Sequence, residues 1–159
     1  MVAETKYYLT KEGFEKLSQE FEKLKEQKKI IMEEEAPDIT DLHGPDAEYL
    51  TFQEDLGFVE RRLEEIEAIL KNCEILKPPP KHKRHIVHLG ATVEVEIDGQ
   101  KDEFTIVAPV EADPMAGKIS HESPVGRALL GRSIGEKVVV QSSIRAEYKI
   151  RKITYKSIK

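Results

Sequence analysis

Three consecutive prolines, Pro78-Pro79-Pro80, constrain this chain more than any other feature. Each lacks an amide donor, fixes its own φ and restricts the residue before it, so neither a helix nor a central strand can run through them. Together with Lys77, Lys81, His82, Lys83 and Arg84 they make residues 77–84 an extended, solvated, basic linker between two domains. Charge changes across it: residues 1–76 hold 10 Lys and Arg against 20 Asp and Glu, while residues 77–159 hold 15 against 10. The two halves are different objects.

Before the linker the apolar period is helical. Phe14, Leu17, Phe21, Leu24 and Ile31 recur three and four apart, interrupted where Lys28 takes the next position. Thr10 can cap the start and Pro37 disfavours helix at Ala36, which predicts a helix from Lys11 to Glu35. Tyr49, Phe52, Leu56, Val59, Leu63, Ile66, Leu70 and Cys73 form a second seam of the same kind. Two such helices joined by a short segment predict an antiparallel coiled-coil hairpin over 1–76, with an acidic tip near 36–48.

After the linker the period becomes two. Thr92 to Ile97 alternates, Asp98-Gly99 suits a two-residue hairpin turn, and Phe104 to Val107 returns. His85–Val87, Lys118–Ser120, Lys137–Gln141 and Glu147–Ile153 are further strand candidates. Ser123 as N-cap, Pro124 at the first helical position and Gly131 as the stop predict one short helix, with Leu129 and Leu130 in the core. The expected fold class is α+β: the hairpin, then an antiparallel sheet domain over 85–159 with one short helix.

No apolar run approaches the roughly 18 residues of a membrane span, and Met1 to Thr10 lacks a signal-type apolar stretch. The lone Cys73 fits a small apolar seam residue in a reducing compartment, so the protein is expected to be a cytoplasmic monomer. His82, His85 and His88 do not share one face and make a poor metal set.

The tip holds Glu33, Glu34, Glu35, Asp38, Asp41, Asp46 and Glu48 with no Lys or Arg between them. Acids at a helix start are ordinary, which accounts for Asp46 and Glu48. Alternatively, Asp41 with Asp46, and more weakly Asp38, could reach a Mg²⁺ ion at a partner's active site, since that ion often takes one or two carboxylates beside phosphate oxygens. The window lacks the ligand rhythm of an EF-hand. A third reading is an adaptor whose tip has no chemical role.

Tyr8-Leu9-Thr10-Lys11-Glu12-Gly13-Phe14, Asp41-Leu42 with Ala47-Glu48-Tyr49, Gly57-Phe58, Glu111-Ala112-Asp113-Pro114, Gly117-Lys118-Ile119-Ser120 and Ser123-Pro124-Val125-Gly126-Arg127-Ala128-Leu129-Leu130-Gly131 stand in one order along the chain. In these the sequence resembles the bacterial GreA/GreB transcription elongation factors. The resemblance implies a coiled-coil hairpin and an FKBP-like domain that docks on RNA polymerase while the hairpin enters its secondary channel. Tip carboxylates there help hold the polymerase's second Mg²⁺ and stimulate cleavage of backtracked RNA 3′ ends. The factor is no enzyme itself, has no cofactor of its own, and meets DNA only through the polymerase complex. Docking residues implied are Asp113, Pro114 and Met115, with Ser123, Pro124 and Arg127.

The family tip commonly reads Gly-Asp-Leu-x-Glu-Asn-Ala-Glu-Tyr. Here Asp41 is kept, Gly44 or Pro45 replaces the Glu, one residue is added, and Asp46 stands for the Asn. Gln53 occupies a position that is often basic. Two outcomes therefore stay open: stimulation of cleavage, or a channel-binding inhibitor of the polymerase. The FKBP-like fold does not imply prolyl isomerase activity, because residues 77–159 contain only Phe104, Tyr148 and Tyr155 to line a pocket.

Overall fold

The computed structural model describes residues 5–34, 47–141 and 145–156. The chain divides into two compact units, one comprising residues 1–6 and 14–73, the other 7–13 and 74–159. The second unit thus takes in a short N-terminal stretch as well as the residues after the helices.

The first unit is built on helices α1 (Lys11–Glu34) and α2 (Ala47–Lys71). Leu17 and Ile31 of α1 are buried, as are Val59, Ile66 and Ile69 of α2. The helices run antiparallel, since Arg62 meets Glu20 while Lys28 meets Glu60 further along α1 and earlier on α2. Lys28, which interrupts the seam of α1, is half-buried and its ammonium lies 3.2 Å from Glu60 Oε1. The Arg62 guanidinium donates to both carboxylate oxygens of Glu20, at 2.7 and 3.2 Å. That hydrogen-bonded pairing raises the Arg62 pKa, with Glu65 adding to it against partial desolvation.

The expected seam ended at Cys73, but α2 stops at Lys71 and Cys73 opens strand β2 (Cys73–Ile75), which pairs with β1 (Tyr7–Leu9). Neither strand was expected, because three residues are too few to show a period.

The second unit is a five-stranded sheet of β3 (Thr92–Ile97), β4 (Gln100–Val107), β5 (Lys118–Ser120), β6 (Lys137–Gln141) and β7 (Arg145–Thr154), in the order β5-β4-β3-β7-β6. Asp98 and Gly99, at φ 51° and 79°, form the tight turn between β3 and β4. The sheet is mixed, a correction to the antiparallel expectation: β5 runs parallel to β4. Residues 108–117 carry the chain back through two short 3-10 turns, supplying the crossover a parallel pair needs.

Alternation builds the core from Val93, Val95, Ile106, Val138 and Ile150, joined by Val87, Ala91 and Leu129. On β7 the inward positions step by two through Tyr148 and Ile150, then jump to Ile153. The register against β3 shifts there, so Arg151 is a surplus residue on a bulge and reaches Glu96.

Two further expectations are corrected. His85–Val87 is not a strand; it makes one bridge, Ile86 with Ser133, because no partner continues beyond it. The linker is not extended throughout, since Lys81–Lys83 forms a 3-10 turn after the prolines.

Candidate functional site

The expected docking residues bracket β5. Asp113 precedes a 3-10 turn, Pro114–Ala116, and exchanges two backbone hydrogen bonds with Lys118, at 2.8 and 3.0 Å. Gly117 closes the turn at φ 73°, a conformation that favours glycine. This small loop lifts Met115 almost wholly into solvent, 98% exposed, with Asp113 and Pro114 exposed beside it. A thioether held out this way has no packing role within the unit.

At the other end of β5 stands α3 (Pro124–Leu129). Ser123 Oγ accepts the Gly126 amide at 3.1 Å and donates to Ser120 O at 2.6 Å, so one hydroxyl ties the helix start to the strand end. Gly126 is buried against that strand end: a Cβ there would overlap Ser120 O. Ser123 and Gly126 are thus explained by local structure, whereas Pro124 and Arg127 are exposed, and Arg127 has no side-chain partner among the described residues. They line an open groove with Glu122, Ala128, Val139 and Gln141. Leu129 is fully buried, but Leu130 is 38% exposed, correcting its assignment to the core: the helix ends there, so the side chain points away from the sheet's interior.

Sequence reasoning missed Glu111. Its carboxylate accepts the Thr10 amide at 2.8 Å and the Thr10 hydroxyl at 2.5 Å, while Thr10 Oγ1 accepts the Gly13 amide at 3.0 Å. Thr10 caps α1 as expected, and Glu111 caps the cap. Gly13 leaves room for this arrangement, because a Cβ there would displace that carboxylate. Glu12 adds pairs with Lys118, at 3.2 Å, and Lys156, at 3.3 Å. No local pattern announces a contact between residues 101 apart in sequence.

In the helical unit, Asp38, Asp41 and Asp46 lie outside the described residues. The helix ends that flank them are described. Glu33 and Glu34 occupy the last turn of α1, which has no basic residue, whereas Glu48 lies in the first turn of α2. The helix dipole favours Glu48 and disfavours Glu33, each by about 0.3–1 kcal/mol. Helix stability therefore explains only part of the acidity. Gln53 donates to the Tyr49 hydroxyl at 2.9 Å, leaving no positive charge at that point of α2. Among the described residues no cluster of His, Cys, Asp or Glu could hold a metal, and no helix is long and apolar enough to cross a membrane.

Two sequence-family models cover nearly all of this architecture: the N-terminal region of transcription elongation factors matches residues 7–75, and the GreA/GreB C-terminal region matches 81–155. Transcription elongation factor GreA of Thermomicrobium roseum is 42% identical over 137 residues, covering 84% of this chain and 87% of that one. The chain belongs to the GreA/GreB family of transcription elongation factors. The GreA of Halalkalibacterium halodurans is 41% identical over 147 residues, 89% of this chain and 92% of that protein. A crystal structure of GreA factor homolog 1 of Thermus thermophilus aligns over 94% of this chain and 99% of that one, at 27% identity and a TM-score of 0.42. Within this GreA/GreB member, the Ser123 cap and the buried Gly126 hold α3, and the Gly117 turn presents Met115.

Proposed function

We propose that this elongation factor binds RNA polymerase, enters its secondary channel with the helical hairpin, and stimulates the polymerase's own cleavage of backtracked RNA 3′ ends. The observation that carries the reading is an acid at the wrong end of α1 for its dipole, Glu33, followed in the sequence by Glu34 and a connecting segment that adds Asp38, Asp41 and Asp46. Antiparallel helices bring both ends of that segment to one end of the pair. Their oxygen-only donor set is of the kind Mg²⁺ accepts. When bound in the polymerase, such an ion would polarise a phosphate and lower the pKa of a water. The chain's own part is to supply negative charge there, from Asp41 and Asp46 first. Met115, Asp113 and Pro114, with Pro124 and Arg127, offer the head's docking surface. A factor of this kind works in the bacterial cytoplasm.

The test is a stalled, backtracked transcription complex with Mg²⁺. Addition of the protein should shorten the transcript from its 3′ end, and Asp41→Asn should abolish the effect while leaving binding intact. The neutral Gln53, tied to Tyr49, favours a second reading, an inhibitor occupying the same channel. Slowed synthesis without shortening would establish that reading, and no effect of any kind would sink both.

A further inference from the structure

Residues 75–93 contain no Asp or Glu, although the chain's 30 acids in 159 residues would place about three or four in such a stretch. Residues 123–135 contain none either. The fold pairs these two segments. Val87 N–H donates to Arg132 O at 2.8 Å, Gly131 N–H to Val87 O at 2.8 Å, and Ile134 N–H to His85 O at 3.1 Å.

The backbone that carries these cations is hydrogen-bonded in place. The Arg84 guanidinium donates to Pro79 O at 3.0 Å, and the Lys83 and Arg84 amides donate to Pro80 O and Lys81 O. Upstream, the Leu76 amide donates to Leu9 O at 2.7 Å. Lys77, Lys81, His82, Lys83 and Arg132 are exposed, and among the described residues none of the Lys and Arg side chains here pairs with a carboxylate. Some exposed cations elsewhere in the same unit are paired, as with Lys101 and Glu94 or Lys137 and Glu147.

We propose that this surface binds the sugar-phosphate backbone of double-helical DNA without reading sequence. Lys77, Lys81 and Lys83 supply half of the Lys and Arg in these segments, and lysine is depleted at protein interfaces. Phosphate neutralisation by Lys and Arg needs no other feature. No Phe, Tyr or Trp lies in either acid-free segment, so there is no platform on which the bases of a single strand could stack. Leu130 and Ile134, partly exposed on either side of Arg132, are the one feature that suits an acidic peptide instead.

The proposal is independent of the tip chemistry, and its test needs no polymerase. Anisotropy of a labelled 20-base-pair duplex is titrated with the full chain across about 20–200 mM salt, with mixed-sequence single strand and polyglutamate as competitors. The duplex should bind at low salt, and Lys77→Gln/Lys81→Gln/Lys83→Gln should weaken it at least tenfold and flatten the log-log salt dependence by about two to three. An equal charge change on the sheet, Arg145→Gln/Lys149→Gln/Lys152→Gln, should shift affinity less than about threefold. Circular dichroism of both variants should match the parent. No binding by the parent, equal losses from the two triple variants, or stronger competition by single strand or polyglutamate would overturn the assignment.

Discussion

The helical unit and the sheet unit bury apolar surface in different ways, and so they tolerate charge differently. On α1 and α2 the buried residues form one narrow stripe, and ion pairs such as Arg62–Glu20 and Lys28–Glu60 span its margins. In the sheet unit Val93, Val95, Ile106, Leu129 and Ile150 are fully buried in one core, and glycines or caps fix the approach of each element. A stripe asks only for apolar residues at the right period, leaving the other helical positions free to carry acids that weaken the helix. A core with a helix pressed against a strand end leaves no such freedom at the contact.

Substitutions at contact positions should mark this contrast most sharply. Gly126→Ala forces a methyl into Ser120 O and should cost the sheet unit about 3 kcal/mol or more in urea unfolding. The comparison would break if Gly57→Ala, whose Cβ would touch only the end of Arg61, were as costly. Ile66→Ala, at a fully buried stripe position, should lower helix stability by about 2–5 kcal/mol, read by far-UV circular dichroism. A value at the lower end is expected, since a two-helix stripe collapses around the three lost carbons more readily than a closed core.

Tyr155 tests the polar side of the core. Its hydroxyl donates to Ile86 O at 2.5 Å and accepts the His88 amide at 2.9 Å, and burial raises its pKa above the ordinary 10.0. The folded state therefore favours the protonated phenol: its contribution is complete below pH 10.0 and is lost as pH rises through the folded value. Tyr155→Phe should cost about 1–2 kcal/mol at neutral pH and remove that alkaline dependence. In the helical unit, Arg62→Ala should cost only about 0.2–1 kcal/mol, an effect that shrinks with added salt, because the pair with Glu20 is well exposed. Smallest and of opposite sign, Glu33→Gln should stabilise α1 by a few tenths of a kcal/mol. A loss of stability there would remove the argument that this acid is kept against the helix's interest.

Local rules made much of this legible in the residues. The stripe positions, the Thr10 cap, the Asp98-Gly99 turn and the Ser123-Pro124 helix start each depend on neighbours within a few residues. What escaped depends on distant ones: the parallel pairing of β5, the three-residue strands β1 and β2, and the Glu111 clasp on Thr10. Ile69 escaped for a subtler reason, since a helix of 3.6 residues per turn drifts across a strict seam and brings a flanking position inward. Of the candidate site, the 113–117 loop and α3 were legible as landmarks, yet only the structure separates Ser123 and Gly126, which build the fold, from Met115 and Arg127, which are spare. Asp38, Asp41 and Asp46, singled out by charge, lie outside the described residues.

The surplus residue at Arg151 has a genetic corollary. Upstream of it, even-numbered side chains of β7 face inward; downstream, odd-numbered ones do. Deleting a single codon at that point would therefore remove the bulge and leave an unbroken alternation. Ile150 and Ile153 would then stand two apart, both facing inward with Lys152 between them facing water, and what would be lost is the Arg151–Glu96 contact and the extra twist of the bulge.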